Sequence, residues 1–246
     1  MNLEFSINAW AAYAPGLSTP AQWQAWAAQP SLPVGDGQPE LTEMPAMMRR
    51  RLGPLGRTAA QVAYAVHDGR LGLPVVLGSR YGDAARSLDL LADLARGDAI
   101  SPTSFGLSVH NAIGAMYSIA RGDRANYLAV AAGAGSACAC LVEAAGLLAD
   151  GAPEVLVICY EAPLPGAYAG FQDEPGVLYG WAWRVGPAVA GQVRYSLEAG
   201  PAGAGSSAAS VPALPVALDA LRFFLAGDAE LHRDVDGTAW TWRRHG

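Results

Sequence analysis

Cysteine is scarce in this sequence: Cys138, Cys140 and Cys159 are the only three in 246 residues, and two of them are two positions apart. An odd set with that spacing builds neither a disulfide framework nor a CxxC metal site. We therefore expect a reducing compartment, no metal and no cofactor. Positive charge is scarce as well. A net charge of −6 and a pI near 5.1 leave no footprint for nucleic acid or an anionic membrane surface. The one basic run, Arg49, Arg50 and Arg51, is too short to change that. No apolar stretch approaches the roughly 20 residues that span a bilayer, and the N-terminus lacks the basic-then-apolar order of a secretory leader, so the expected address is the cytoplasm. What the sequence does have is apolar mass. A hydrophobic fraction of 52% argues for one sizeable α/β domain with a packed interior.

Hydrophobic periodicity and breakers divide the chain. An extended run over 3–12 closes at Pro15 and Gly16, and a capped helix follows over 18–28 with Trp23 and Trp26 on one side. After a Pro- and Gly-rich loop (30–39) come a helix (58–67), a short buried strand (73–78) and a helix (87–96) whose apolar face is Leu88, Leu91, Ala92 and Ala95. The breaker Ile100-Ser101-Pro102-Thr103 leads to a helix over 108–119 and an Arg121-Gly122-Asp123 turn. The clearest unit is a strand over 127–132, a tight turn Gly133-Ala134-Gly135-Ser136, a helix over 137–149 and a strand over 155–159. Two further strands are expected over 179–185, with alternating Tyr179, Trp181 and Trp183, and over 189–197. The domain should end at 199, followed by a Gly/Ala/Ser linker over 200–211 and a tail (212–246) with a helix over 212–226 and a short strand near 238–242 that packs on the domain. Strands alternating with helices predict a mainly parallel sheet covered on both faces.

Glycines at 133 and 135, directly after an apolar strand and before a helix, allow a sharp turn with little side-chain interference. Such a turn serves two chemistries. Exposed amides at a helix N-terminus bind phosphate, but the dinucleotide fingerprint wants a third glycine, where Cys138 stands, and an acidic residue about 20 positions on. Glu154 comes before the next strand, and Glu161 at its end is better placed. Alternatively, the elbow presents a nucleophile stabilised by the helix dipole. Ser136 lacks the outer glycines of a G-x-S-x-G elbow and reads more readily as a helix N-cap. Cys138 and Cys140 fall inside the following helix, where a thiol usually packs as a small apolar group. An acyl-transfer or thioester-hydrolysing enzyme using Ser136 or Cys138, and a nucleotide- or acyl-CoA-binding domain using the Gly133 turn, stay open as alternatives. His67, His110, His232 and His245 all have structural readings as exposed or helix-N-terminal residues.

Several segments taken together resemble the central block of the β-ketoacyl synthases. They are Asn111-Ala112-Ile113-Gly114, Tyr117-Ser118-Ile119, Gly122, the strand Leu128-Ala129-Val130-Ala131, and Leu147-Leu148-Ala149-Asp150-Gly151 before Glu154-Val155-Leu156-Val157. The resemblance runs over about residues 3–198 and is specific over 100–162. It implies the N-terminal half of a thiolase-like fold: a mixed, mainly parallel, five-stranded-type sheet covered by helices, plus the short helix and strand of the tail. The family attacks an acyl thioester with a Cys at the elbow, assisted by two His from the second half of the fold. Here that position falls on Ala134, and no His-Gly-Thr-Gly-Thr stretch is present. The resemblance therefore implies a chain without a nucleophile, similar to the short chain length factors of aryl polyene and xanthomonadin-like pigment systems. Such a chain would pair with a full-length ketosynthase and meet acyl carrier protein through the complex. Better-known chain length factors carry Gln at the elbow, so Ala134 implies no decarboxylase activity. The resemblance further implies a tunnel end built from His110, Asn111, Ala112, Ala115 and Met116 with Gly133 and Ala134. The implied partner interface is Tyr127, Leu128, Ala129, Val130 and Ala131, joined by Tyr117.

Overall fold

A computed structural model describes residues 1–202 and 214–246. Eight strands form one sheet. The chain opens with β1 (Asn2–Tyr13) and helix α1 (Pro20–Ala28), whose N-cap Thr19 accepts from the Gln22 amide in a capping box. A short α2 (Ala46–Arg49) and the long α3 (Pro54–His67) lead to β2 (Val75–Gly78). Next come α4 (Ala84–Arg96), α5 (Pro102–Gly106) and α6 (Ala112–Arg121). The elbow unit follows as β3 (Tyr127–Val130), α7 (Ser136–Ala149) and β4 (Val155–Glu161). A 3₁₀ turn (Gly166–Phe171) precedes β5 (Tyr179–Pro187) and β6 (Arg194–Pro201). The tail adds α8 (Val216–Ala226), β7 (Glu230–Val235) and β8 (Thr238–His245).

The strand order is β3-β2-β4-β5-β1-β6-β8-β7, and only β2 with β3 and β2 with β4 pair in parallel. The sheet is mixed and helix-covered as expected, but it has eight strands instead of five and its pairings are mainly antiparallel. Parallel neighbours need a crossover element, commonly a helix. Helices connect β2, β3 and β4, whereas a helix-free stretch with one 3₁₀ turn joins β4 to its antiparallel neighbour β5. The tail contributes two strands, not one: β8 pairs with β6 along its length, and β7 pairs with β8. From residue 203 on, the expected linker lies outside the described residues.

Each face of the sheet buries its own core. On one face α1, α7 and α8 pack over Phe5, Val157, Trp181 and Trp183; on the other, α3 and α6 pack over Leu77, Leu156, Ile158 and Ala182. The alternating aromatics of β5 are thus core under the tail. Trp183 packs against Phe224 of α8 and Trp242 of β8, and the Trp181 indole donates to the Ala217 carbonyl at 2.9 Å. The α4 face differs from expectation. Leu90 is buried, while Leu91 and Leu94 are exposed, because α4 packs mainly against α5 and not on the sheet.

Candidate functional site

Three parallel strands end on the same side of the sheet, where an open α/β sheet ordinarily forms its site. There β2 runs out into Ser79 and Arg80, β4 ends at Glu161, and β3 passes through residues 131–135 into α7. Gly133 takes φ +55°, the left-handed region that glycine adopts without strain. The Ser136 hydroxyl donates to the Gly133 carbonyl at 2.7 Å and accepts from the Ala132 amide at 3.1 Å, which closes the turn. Ser136 is therefore the first residue of α7 and not its N-cap, which is Gly135. Its hydroxyl is committed to the elbow backbone, so it makes a poor nucleophile. Cys138 is fully buried, and burial pushes its thiol up to about 12, far from the thiolate that acyl transfer requires.

Ala134, half-buried, lines a small open pocket of about 10 Å³ with Cys159, Glu161, Glu174 and Tyr179. Beneath it lies a cluster of charges. One Glu161 oxygen accepts from the Arg80 amide at 2.5 Å and the other from the Ser79 hydroxyl at 3.3 Å. Burial outweighs these bonds and pushes the Glu161 carboxyl up to about 7. The Arg80 guanidinium forks to Glu174 and Asp173, both at 2.7 Å, and Glu174 also accepts from the Val216 amide at the start of α8. This cluster ties the ends of β2 and β4, the segment around 173–174 and the tail helix into one unit.

The elbow's other side meets the tail. Between β7 and β8, Asp236 and Gly237 both take positive φ, as in a tight Asp-Gly hairpin turn. Asp236 Oδ2 sits 2.7 Å from where a Cβ on Gly133 would lie, while Val235 and Trp240 approach the equivalent point of Gly135 at 3.7 and 3.8 Å. A carboxylate against the turn repels phosphate, which argues against nucleotide binding at Gly133.

The other candidate residues fall in several environments. His110 is half-buried, with Nε2 at 2.7 Å from the Ser79 carbonyl, and joins the start of α6 to the loop after β2. Asn111 is exposed, Ala115 is half-buried, and Ala112 and Met116 are core. At Gly114 a Cβ would approach Leu77 and Tyr127 to 2.8 and 2.9 Å, so α6 lies directly on β2 and β3. Residues 127–130 are half-buried on an edge strand, and Ala131 is exposed. Tyr117 departs from the expected interface: it is buried, with its hydroxyl 2.5 Å from His67 Nδ1 and its ring edge-on to Tyr64. His67 departs likewise from a surface reading. It ends α3 fully buried, 3.8 Å from the Asp123 carboxylate, and burial followed by the Arg121 charge lowers it to about 4. On the tail strands, His232 bonds Thr241 and His245 bonds Ser196 of β6.

The family described as "Beta-ketoacyl synthase, N-terminal domain" matches residues 23–243. The chain belongs to this family. Its fold is the thiolase-like N-terminal half of a ketosynthase. One chain of the ketosynthase ApeO in complex with its chain length factor ApeC, from Xenorhabdus doucetiae, superposes on this ketosynthase-family chain with a TM-score of 0.85 at 29% identity. The match covers 98% of this chain and 100% of that one. The ishigamide ketosynthase/chain length factor gives a TM-score of 0.57 at 19% identity over 81% of this chain and 67% of that one. A β-ketoacyl synthase from Burkholderia phymatum gives 0.56 at 13% identity over 76% of this chain, which spans 60% of that enzyme's chain. These last two likenesses are of fold alone. No curated protein matches the sequence.

Arg80, Asp173, Glu174 and Asp236 are absent from the sequence-derived site. The Asp236-Gly237 dipeptide is a hairpin signal and could have been found that way; Arg80 carries no local signal.

Proposed function

We propose that this chain is a non-catalytic, chain-length-factor-like subunit that pairs with a separate active β-ketoacyl synthase in the cytoplasm and shapes the acyl tunnel, in an aryl polyene type of pigment biosynthesis. The observation that carries the reading is the end-to-end match to a chain of a ketosynthase and chain length factor complex, because it extends over the whole length of both chains. A half-length thiolase-like chain is thus the form of a subunit in that assembly. The elbow chemistry agrees. If Ala134 stands where the family's cysteine stands, the site has no atom to attack a thioester. Loss of one member of a nucleophilic system already costs several orders of magnitude in rate.

The partner surface in this reading is the open edge of β3, residues 127–131, where strand addition extends the sheet and removes an exposed edge. The segment from α4 to α6 also exposes Leu91, Leu94, Phe105, Val109 and Ile119, apolar side chains that a partner would cover in this reading. His110, Asn111 and Ala115, with Ala112 and Met116 behind them and Gly133 and Ala134 at the elbow, form the tunnel end. Acyl carrier protein reaches this chain through the ketosynthase.

Co-expression with an active β-ketoacyl synthase from the same organism tests the proposal. A stable complex is expected on gel filtration, together with a shortened product when Ala115 is enlarged to Phe. A chain that elutes alone beside that ketosynthase, and whose A115F form leaves product length unchanged, sinks it.

A further inference from the structure

The two sides of β1 are flanked unequally. β5 pairs with it from Phe5 to Tyr13, whereas β6 pairs with it only from Asn2 to Phe5. A bulge between Ile7 and Ala9 follows at once, and a bulge bends its strand and ends pairing. Among the described residues, the backbone of residues 8–13 makes no backbone bond beyond its ladder to β5. A cavity of about 390 Å³ lies against this stretch, a volume in the range of ligand sites. Trp10 and Ala12 pack toward the face under α1 and α8, and Ala11 and Tyr13 toward the face under α3, yet all four line the cavity. Side chains alternate along a strand, so a space touched by four successive residues runs along the edge and not over one face. Val62 and Ala65 of α3 wall it on one side, and Ser18 and Pro20 at the start of α1 on the other. Exposed Glu40 is the only charged side chain in the lining.

We propose that this groove takes an extended peptide segment of a partner protein, which adds to the free edge of β1 as a strand and carries uncharged or basic side chains. A row of free main-chain donors and acceptors selects an occupant with the complementary row, which an extended polypeptide has and an acyl chain lacks. The apolar walls suit β-branched side chains, and Glu40 disfavours acidic ones. β2, β4 and β5 separate the groove from the β3 edge, so occupancy here is independent of a ketosynthase on β3.

Amide hydrogen exchange on the full chain tests this, with acetyl-Thr-Val-Thr-Val-Lys-amide as the probe. At millimolar peptide, alternate amides within residues 9–13 should exchange at least about tenfold more slowly, because a strand bond must open before exchange. Two further forms of the peptide are N-methylated at every second residue, one in each frame. The form whose methyls face β1 should lose the protection and the other should keep it, since a strand bonds its neighbour through every second residue. A65W fills the groove from an exposed position on α3, so it should abolish protection without lowering the melting temperature. If it does melt lower, S18W fills the groove from the opposite wall. Absence of protection by the unmodified peptide, equal behaviour of the two N-methylated forms, or protection that survives the groove-filling variant overturns the proposal.

Discussion

Glu161 and His67 are two buried groups that each withhold a charge, and they shape the pH dependence of stability in opposite directions. Glu161 is raised to about 7 from 4.5, so between those values the folded chain holds a proton that the unfolded chain releases. Its contribution is present below pH 4.5 and is lost as pH rises through 7, at about 1.4 kcal/mol per pH unit. His67 is lowered to about 4 from 6.5, so its contribution is present above pH 6.5 and is lost as pH falls through 4. Between pH 4.5 and 6.5 the two slopes cancel. Urea titrations across that window should give stability that climbs with pH in E161Q and declines in H67Q; parallel slopes would refute the assignment. At Gly133 the φ of +55° and the Asp236 contact both resist a side chain. G133A should cost about 2 kcal/mol, and D236G should recover part of that loss in a double-mutant cycle. Glu161 was visible in the sequence as a carboxylate at a strand end. Its relation to Arg80 was not, because the two are 81 positions apart and no periodicity links them.

At the scale of single elements, β3 offers the most direct test. The Asn126 and Val130 carbonyls accept from Val75 of β2 and Ser79 just after it, so by strand alternation residues 127, 129 and 131 direct their backbone groups to the open edge. A129P should therefore remove an edge donor, leave the melting temperature within a few degrees, and abolish co-purification with the ketosynthase. Retained co-purification would move the interface elsewhere. The elbow was legible because two glycines stand between an apolar strand and an apolar helix, a purely local signal. The inner face of α4 was not. Its leucines recur with helical spacing, but the sequence does not say whether the stripe faces this chain's core or the outside, and Leu91 and Leu94 are exposed. β7 was missed because Glu230, His232 and Asp234 make it read as a charged tail; only Leu231 and Val235 turn inward, as suits a protected edge strand.

Over the whole molecule the tail is structural. Trp242, almost fully buried, touches Trp183 and Phe223 and joins the tail hairpin to the central strands. W242A should cost about 3 to 5 kcal/mol, read as a fall in melting temperature. The order of the strands sets the order in which the molecule can be made. β2, β3 and β4 can associate once residue 161 has emerged from the ribosome, whereas Phe5 of β1 pairs with Pro187 and must wait until late in synthesis. Contacts this distant in sequence form slowly. The edge of β3 is therefore complete on the nascent chain before β1 is placed and before the tail hairpin exists. A partner translated nearby would meet its strand first and the finished subunit afterwards.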